Sequence, residues 1–221
     1  MQKEIFGDTE GDKYYERNKL KHDGMVSTDE DPIVQGIVHM GLSPKSILEI
    51  GCSDGWRLDR LYNMYPSTCF GIDPSEKAVQ EGRDKWPQLK LIKGTADELP
   101  YKNKLFDMII FGFCLYLCDR NDLFKIAYEA DRALMDTGHV VIYDFHPSFP
   151  YKNHYTHYQG LSSYKMNYSL LFLWNPSYKL KYQKVLFHPP LKEGTDDDVV
   201  SVIIIEKNSI GAFPDNPYRK T

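Results

Sequence analysis

Ser46-Ile-Leu-Glu-Ile-Gly-Cys-Ser-Asp-Gly-Trp56 is the stretch that decides how this chain folds. It reads as a short buried strand that breaks into a glycine turn and then enters a helix. The glycines are Gly51 and Gly55, and an acid, Glu49, stands just before them. A second acid, Asp73, ends the next apolar run, Thr68-Cys-Phe-Gly-Ile72. A tight turn after a first strand and a carboxylate after a second is how an α/β sheet holds an adenosine-containing cofactor.

The spacing narrows the choice of cofactor. A dinucleotide loop needs G-x-G-x-x-G to bring backbone N–H groups against a pyrophosphate. Gly51-Cys-Ser-Asp-Gly55 does not fit, and Asp54 would sit badly beside a phosphate. A phosphate-binding loop ending in G-K-[ST] is excluded by Trp56-Arg57.

Outward from this turn, strands and helices alternate. Helices are expected over Pro32–Met40, Trp56–Met64, Ser75–Lys85 and Asn121–Leu134, with Ser75 as an N-cap. Strands are expected over Ser46–Ile50, Thr68–Ile72, Leu89–Lys93, Phe106–Phe113 and His139–Tyr143, with Asp136-Thr-Gly138 as a turn. The nearly unbroken apolar character of Phe106–Phe113 is that of a strand covered on both faces. The alternation predicts an α/β, doubly wound, mostly parallel sheet with helices on both faces. After Asp144 the alternation fails. Tyr168–Trp174, Tyr178–His188 and Val199–Ile205 read as further strands, antiparallel at the C-terminal end. One domain over 1–221 is expected. It comprises an N-terminal cofactor-covering segment (1–40), a cofactor-binding core (46–144), a substrate-side insertion (145–182) and C-terminal strands with a tail (183–221).

From Ile47 to Asp144 the motifs, in this order, resemble the Rossmann-like class I S-adenosylmethionine-dependent methyltransferases. E-x-G-x-x-x-G resembles their first motif, with Ser53 where the family usually has glycine. The resemblance implies that Gly51, Cys52, Ser53 and Gly55 meet the methionine moiety of S-adenosylmethionine. It implies that Glu49 supports the loop or reaches the cofactor's amino group. Asp73, 22 residues after Gly51, would bind the ribose hydroxyls, with Ile72 and Pro74 packed on the adenine. Gly94-Thr-Ala-Asp-Glu-Leu-Pro100 is similar to the family's adenine-edge loop, with Asp97 as the acceptor and Ala96 supplying an N–H. Phe113 and Cys114, at the end of the fourth strand, would lie beside the sulfonium. Near the N-terminus, Gly11-Asp-Lys-Tyr-Tyr-Glu-Arg-Asn18 resembles the opening of methyltransferases associated with sugar and surface-polysaccharide biosynthesis. There Arg17 would grip the methionine carboxylate and Tyr15 would stack or hydrogen-bond nearby.

Methyl transfer to a hydroxyl benefits from a general base near the carboxyl ends of the strands. Asp144 and His146, just past the fifth strand, are the foremost candidates, followed by His154 and His157. No third ligand accompanies His154-x-x-His157, so no metal is expected. Seven of the 16 tyrosines fall between Tyr151 and Tyr182. Aromatic faces stack on sugar rings, so a sugar or nucleotide-sugar is the expected acceptor, through a hydroxyl or amine. The alternatives are another metabolite or natural product, or a non-catalytic cofactor-binding module of the same fold. A net charge of −4 and a pI near 6.0 give no basic footprint for nucleic acid. No apolar run is long enough for a bilayer, and the four cysteines lack disulfide or zinc spacing. These features point to a cytoplasmic protein with a small-molecule substrate and no membrane partner; they do not fix the oligomeric state.

Overall fold

The computed structural model describes residues 2–24, 31–188 and 191–218. The segments expected over 1–40 and 183–221 therefore include positions outside the described residues: 1, 25–30, 189–190 and 219–221. The sheet has seven strands: β1 (Ser46–Ile50), β2 (Thr68–Asp73), β3 (Lys90–Lys93), β4 (Phe106–Gly112), β5 (Leu134–Phe145), β8 (Tyr178–Phe187) and β9 (Val199–Lys207). Their order is β3-β2-β1-β4-β5-β9-β8. β1 pairs in parallel with β2 on one side and β4 on the other, and β4 pairs in parallel with β5. The direction of strand progression therefore reverses at β1, and a crevice opens beyond the carboxyl ends of β1 and β4. β9 runs antiparallel to β5, and β8 antiparallel to β9. β8 thus points the same way as β5 and ends at the same edge of the sheet.

The alternation of side chains along β4 builds two core layers. Met108 and Ile110 pack with Ile33 and Ile37 of α3 (Pro32–His39) and Leu58 and Leu61 of α4 (Trp56–Met64). Val79 of α5 (Glu76–Lys85) joins that layer. Ile109 and Phe111 face the other way, toward Ile126, Ala130 and Ala133 of α6 (Leu123–Ala133) and Phe172 of α7 (Leu170–Leu173). All are essentially fully buried, and each large side chain so removed from water stabilises the fold by about 1.5–3 kcal/mol. Two caps fix helix starts at the crevice. Asp31 accepts from Ile33 N and Val34 N ahead of Pro32, and Ser75 Oγ accepts from Ala78 N.

The N-terminal residues are helical throughout: α1 (Gln2–Ile5), a five-residue π-type turn (Phe6–Glu10) and α2 (Gly11–Gly24). Among the described residues no helix is long and apolar enough to cross a membrane.

Two expectations are corrected. Asp136-Thr-Gly138 is not a free turn but part of β5. Leu134 pairs with Phe106 and His139 with Met108, so the extra residues are absorbed as a bulge. Tyr168–Trp174 is not a strand but ends in the short helix α7. Its buried residues Tyr168 and Phe172 are four apart, while Leu170 and Trp174 are exposed. A continuous apolar run does not by itself distinguish the two periods. Within the segment after Asp144, β6 (Tyr151–His154) and β7 (Ser162–Lys165) pair as an antiparallel hairpin.

Candidate active site

The loop after β1 is shaped by left-handed backbone. Gly51 has φ +74°, Ser53 +54° and Gly55 +83°. At Gly51 a Cβ would lie 2.6 Å from Cys114 Cβ, so only glycine lets β1 close against the segment after β4. At Gly55 a Cβ would lie 2.9 Å from Leu89 Cδ1, so this glycine serves packing against the β3 side. The loop is tied to β2. Gly51 N donates to Ile72 O (2.9 Å) and Ser53 N to Asp73 Oδ2 (2.8 Å). Ser75 N donates to Asp73 Oδ1 (2.9 Å). Each Asp73 oxygen thus takes one backbone N–H and keeps acceptor capacity toward the crevice. Burial pushes the Asp73 carboxyl up to about 6, against the pull of those two N–H groups.

The crevice is a cavity of about 310 Å³, within the range of small-ligand sites. Of the expected cofactor residues, Tyr15, Gly51, Ser53, Asp73, Pro74, Ala96, Asp97, Phe113 and Cys114 line it. Ile72, Pro74, Ala96, Leu117 and Ile126 contribute apolar surface to its lining. Asp97 Oδ1 accepts from Thr95 Oγ1 (2.7 Å), and Oδ2 accepts from Lys3 Nζ (2.7 Å) and Lys125 Nζ (3.3 Å). Burial opposes its charge, yet these donors hold the carboxyl at about 2.

The N-terminal helices form the roof. Lys3 also pairs with Asp122 at 3.1 Å, and the backbone N–H groups of Gln2 and Lys3 donate to the Asp119 carboxylate, both at 3.0 Å. Farther along, Asp12 accepts from Ser75 Oγ (2.7 Å) and Tyr15 OH donates to Glu81 (2.7 Å). The roof is therefore fastened on both sides of the crevice, to the segment before α6 and to α5.

Arg17, Glu49, Cys52 and Gly55 are not among the described residues lining the cavity. Arg17 instead pairs with the fully buried Glu10, and donates to Tyr155 OH (3.0 Å), pinning α2 to the β6–β7 hairpin. Cys52 is buried behind the loop. Glu49 hydrogen-bonds Arg57, whose Nε donates to Asp31 Oδ2 at 2.7 Å. All three are less than a tenth exposed. Burial raises Glu49 to about 7 despite the adjacent guanidinium. Burial also opposes the Arg57 charge, but the two acids together hold it above its ordinary range. Arg57 and Asp31 do line the cavity, with Trp56 stacked on Arg57 at 4.5 Å.

None of the four expected bases lies on the cavity wall among the described residues. Asp144 is 1% exposed, and its carboxylate accepts from Leu115 N (2.9 Å), Tyr116 N (3.3 Å) and Phe145 N (2.8 Å). It shapes the segment after β4; burial raises it to about 7 against those hydrogen bonds. His146 makes contacts with Ser201 and Gln183, over β9 and β8. His154 is exposed at the end of β6 and His157 on the segment that joins β6 to β7. Among the described residues the histidine that lines the cavity is His188, directly after β8. Its ring lies 5.0 Å from that of Phe113. Tyr14, Trp56 and Tyr143 share this wall.

A family model described as "Methyltransferase domain" matches residues 47–138. The solved structure of the MccD protein superposes with TM-score 0.64 at 17% identity, covering 81% of this chain and 97% of that one. The fold is that of a class I methyltransferase. The 1,6-didemethyltoxoflavin-N1-methyltransferase of Burkholderia thailandensis, solved with 1,6-didemethyltoxoflavin and S-adenosylhomocysteine, gives 0.64 at 17% identity over 88% of each chain. Among curated proteins, the phthiotriol/phenolphthiotriol dimycocerosates methyltransferase of Mycobacterium leprae (strain TN) is 29% identical over 112 residues, 49% of this chain and 41% of that protein. The tRNA U34 carboxymethyltransferase of Campylobacter curvus (strain 525.92) is 29% identical over 116 residues, 47% of this chain and 36% of that protein. The chain thus spans less than half the length of the curated relatives it matches.

Proposed function

We propose that this methyltransferase domain transfers a methyl group from S-adenosylmethionine to a small-molecule acceptor. The observation that carries the reading is Asp73. Its carboxylate ends β2, is fixed by two backbone N–H groups, and offers its remaining lone pairs to a cavity bounded by Gly51 and Ser53. Two ribose hydroxyls match that acceptor set. Ile72, Pro74, Ala96 and Ile126 supply apolar faces for the adenine, and Asp97 lies at its edge. Arg57, rather than Arg17, is the guanidinium on the cavity wall and is suited to the methionine carboxylate. The bound cofactor would supply an electrophilic methyl group on a sulfonium. The protein's part is to align the acceptor and exclude water.

The sugar acceptor expected from the tyrosine cluster loses its support. Tyr151 donates to Asp197, Tyr155 to Glu10 and Tyr168 to the Tyr164 carbonyl, and none of the three lines the cavity. The flat rings that do line it belong to other segments. A small molecule rather than a nucleic acid remains our reading, in keeping with the net charge of −4.

Calorimetry with S-adenosylhomocysteine tests this. The wild type should bind. Asp73→Asn, with its fold checked by circular dichroism, should lose two charge-assisted hydrogen bonds of about 1.5–3 kcal/mol each, so at least about 100-fold in affinity. Equal affinity in the two proteins would refute the ribose assignment, and no binding by a folded wild type would refute the reading as a whole.

A further inference from the structure

We propose that the Tyr14 hydroxyl donates a hydrogen bond to the substrate, and that the substrate is a flat ring carrying a carbonyl or another hydrogen-bond-accepting atom at its edge. The inference rests on the methyl-transfer reading above and deepens it by naming the substrate class.

The donor follows from counting protons. Tyr14 OH and Tyr116 OH lie 3.2 Å apart. Two hydroxyls bring two protons, and the bond between them uses one. Among the described residues neither hydroxyl has another hydrogen-bond partner. Burial decides which proton is left over. Tyr116 is 7% exposed and is not among the residues lining the cavity, whereas Tyr14 is. A buried O–H without an acceptor is costly, so Tyr116 gives its proton to the Tyr14 oxygen. The Tyr14 proton is then left for whatever fills the cavity. Burial raises both phenols, so both remain protonated donors at neutral pH.

The hydroxyl is also held in place. Its neighbours on α2 are anchored: Tyr15 OH donates to Glu81 (2.7 Å), and Arg17 pairs with buried Glu10 and donates to Tyr155 OH (3.0 Å). Asn18 Nδ2 donates to Tyr14 O (2.9 Å), one turn back. Tyr116 is fixed from the other side, where its N–H donates to the buried Asp144 carboxylate (3.3 Å). The pair therefore joins the roof to the segment after β4.

The wall beside the pair suits a flat guest. Phe113 has φ +66°, a left-handed conformation rarely adopted by a bulky residue. It is held there by the hydrogen bond from Phe113 N to Tyr143 O (2.9 Å). The Phe113 ring lies 4.9 Å from that of Tyr116 and 5.2 Å from that of Tyr143. Phe113 and Tyr143 line the cavity with Tyr14. Such rings favour a planar guest, by offset stacking and edge contacts. A carbonyl oxygen or ring nitrogen accepts near the plane of its ring, so a stacked guest takes the Tyr14 proton at its edge. The methionine carboxylate is the rival taker of this proton. Arg57 offers that group a cation beside Trp56, while the hydroxyl pair stands beside Phe113.

The test compares two probes of one shape, 2-acetylnaphthalene and 2-isopropenylnaphthalene, in which a carbonyl oxygen is exchanged for a CH₂ group. Binding to the protein saturated with S-adenosylhomocysteine is followed by ligand-observed NMR. The wild type should bind the ketone at least about tenfold more tightly, because the hydrocarbon leaves the Tyr14 proton without an acceptor. Tyr14→Phe should bring the two probes within about twofold of each other, while S-adenosylhomocysteine binds by calorimetry as it does to the wild type. No preference in the wild type, or a preference that survives the substitution, overturns the role of Tyr14. An equal loss of affinity for both probes does the same, since that is what a merely structural tyrosine gives. Loss of S-adenosylhomocysteine binding in the variant also overturns it, by placing the proton on the cofactor. Failure of both probes to bind the wild type overturns the planar class. Failure of S-adenosylhomocysteine to bind the wild type overturns the methyl-transfer reading instead.

Discussion

Replacing Arg57 by methionine isolates what the buried Asp31–Arg57–Glu49 cluster contributes. Methionine keeps much of the apolar stem and removes the cation. Asp31 keeps its α3 N–H donors, but its 2.7 Å partner on Arg57 is gone. Glu49, fully buried, loses its guanidinium. Breaking a buried ion pair by deleting one member costs about 3–5 kcal/mol. For a domain of this size that corresponds to a fall in Tm of roughly 6–20 °C. The pH dependence is more diagnostic. The folded Glu49 value of about 7 lies above its ordinary 4.5. The stability linked to it is therefore fully present below pH 4.5 and lost as pH rises through about 7. Without Arg57 the folded value moves higher, so in the variant the loss continues in full above pH 7, where the wild type is levelling off. The difference in unfolding free energy should grow by about 1 kcal/mol from pH 7 to 8. Urea unfolding followed by far-ultraviolet circular dichroism at pH 6, 7 and 8 measures this without relying on Trp56. Adding Glu49→Gln to Arg57→Met should remove the extra slope. A destabilisation below about 1 kcal/mol, or one independent of pH over that range, would refute a buried, mutually compensated cluster.

Gly55→Ala should destabilise by at least about 1–2 kcal/mol in thermal or urea unfolding, because it places a Cβ on left-handed backbone against Leu89. Ser75→Ala should cost about 1 kcal/mol through loss of the α5 cap, and should also speed proteolysis within residues 2–24, because Ser75 Oγ donates to Asp12. Lys3→Met should raise amide exchange in α1 and speed release of S-adenosylhomocysteine several-fold in stopped-flow chase, with an energetic effect of about 0.5–1 kcal/mol given its partial exposure. In the wild type the Lys3–Asp97 contribution is present above pH 3.8 and is lost as pH falls through about 2, because the Asp97 carboxyl is depressed; acid titration of α1 exchange reads it.

The residues that were legible in the sequence are those whose role is set within a few positions of a strand end. Gly51 and Ser53 turn the chain directly after β1, Asp73 closes β2, and Asp97 follows β3, so local pattern and order suffice to bring them to one edge. Glu49 was also visible, but its partner Arg57 is eight residues on, across the turn, and Asp31 is 26 residues away from Arg57; only the packed helix α4 reveals that the three share a charge. His188 could not be ranked above His146 from sequence. Both follow strands that end at the same edge, and the difference lies in direction: the His146 ring turns to Ser201 and Gln183, whereas His188 lines the cavity. Residue type misled at the tyrosines. A run rich in Tyr151, Tyr155 and Tyr168 has the composition of a ring-binding surface, but composition carries no direction. Their hydroxyls are turned inward to Asp197, Glu10 and the Tyr164 carbonyl, and they brace the hairpin against α2 and the loop before β9. The rings that line the cavity are instead drawn from α2, the start of α4, the strained residue after β4, β5 and the residue after β8. Because these segments are remote in sequence and outside the Gly51–Gly55 loop except for Trp56 and Arg57 beside it, the rings on the cavity wall can be changed at Tyr14 or Phe113 while the Asp73 carboxylate and its two N–H donors stay as they are.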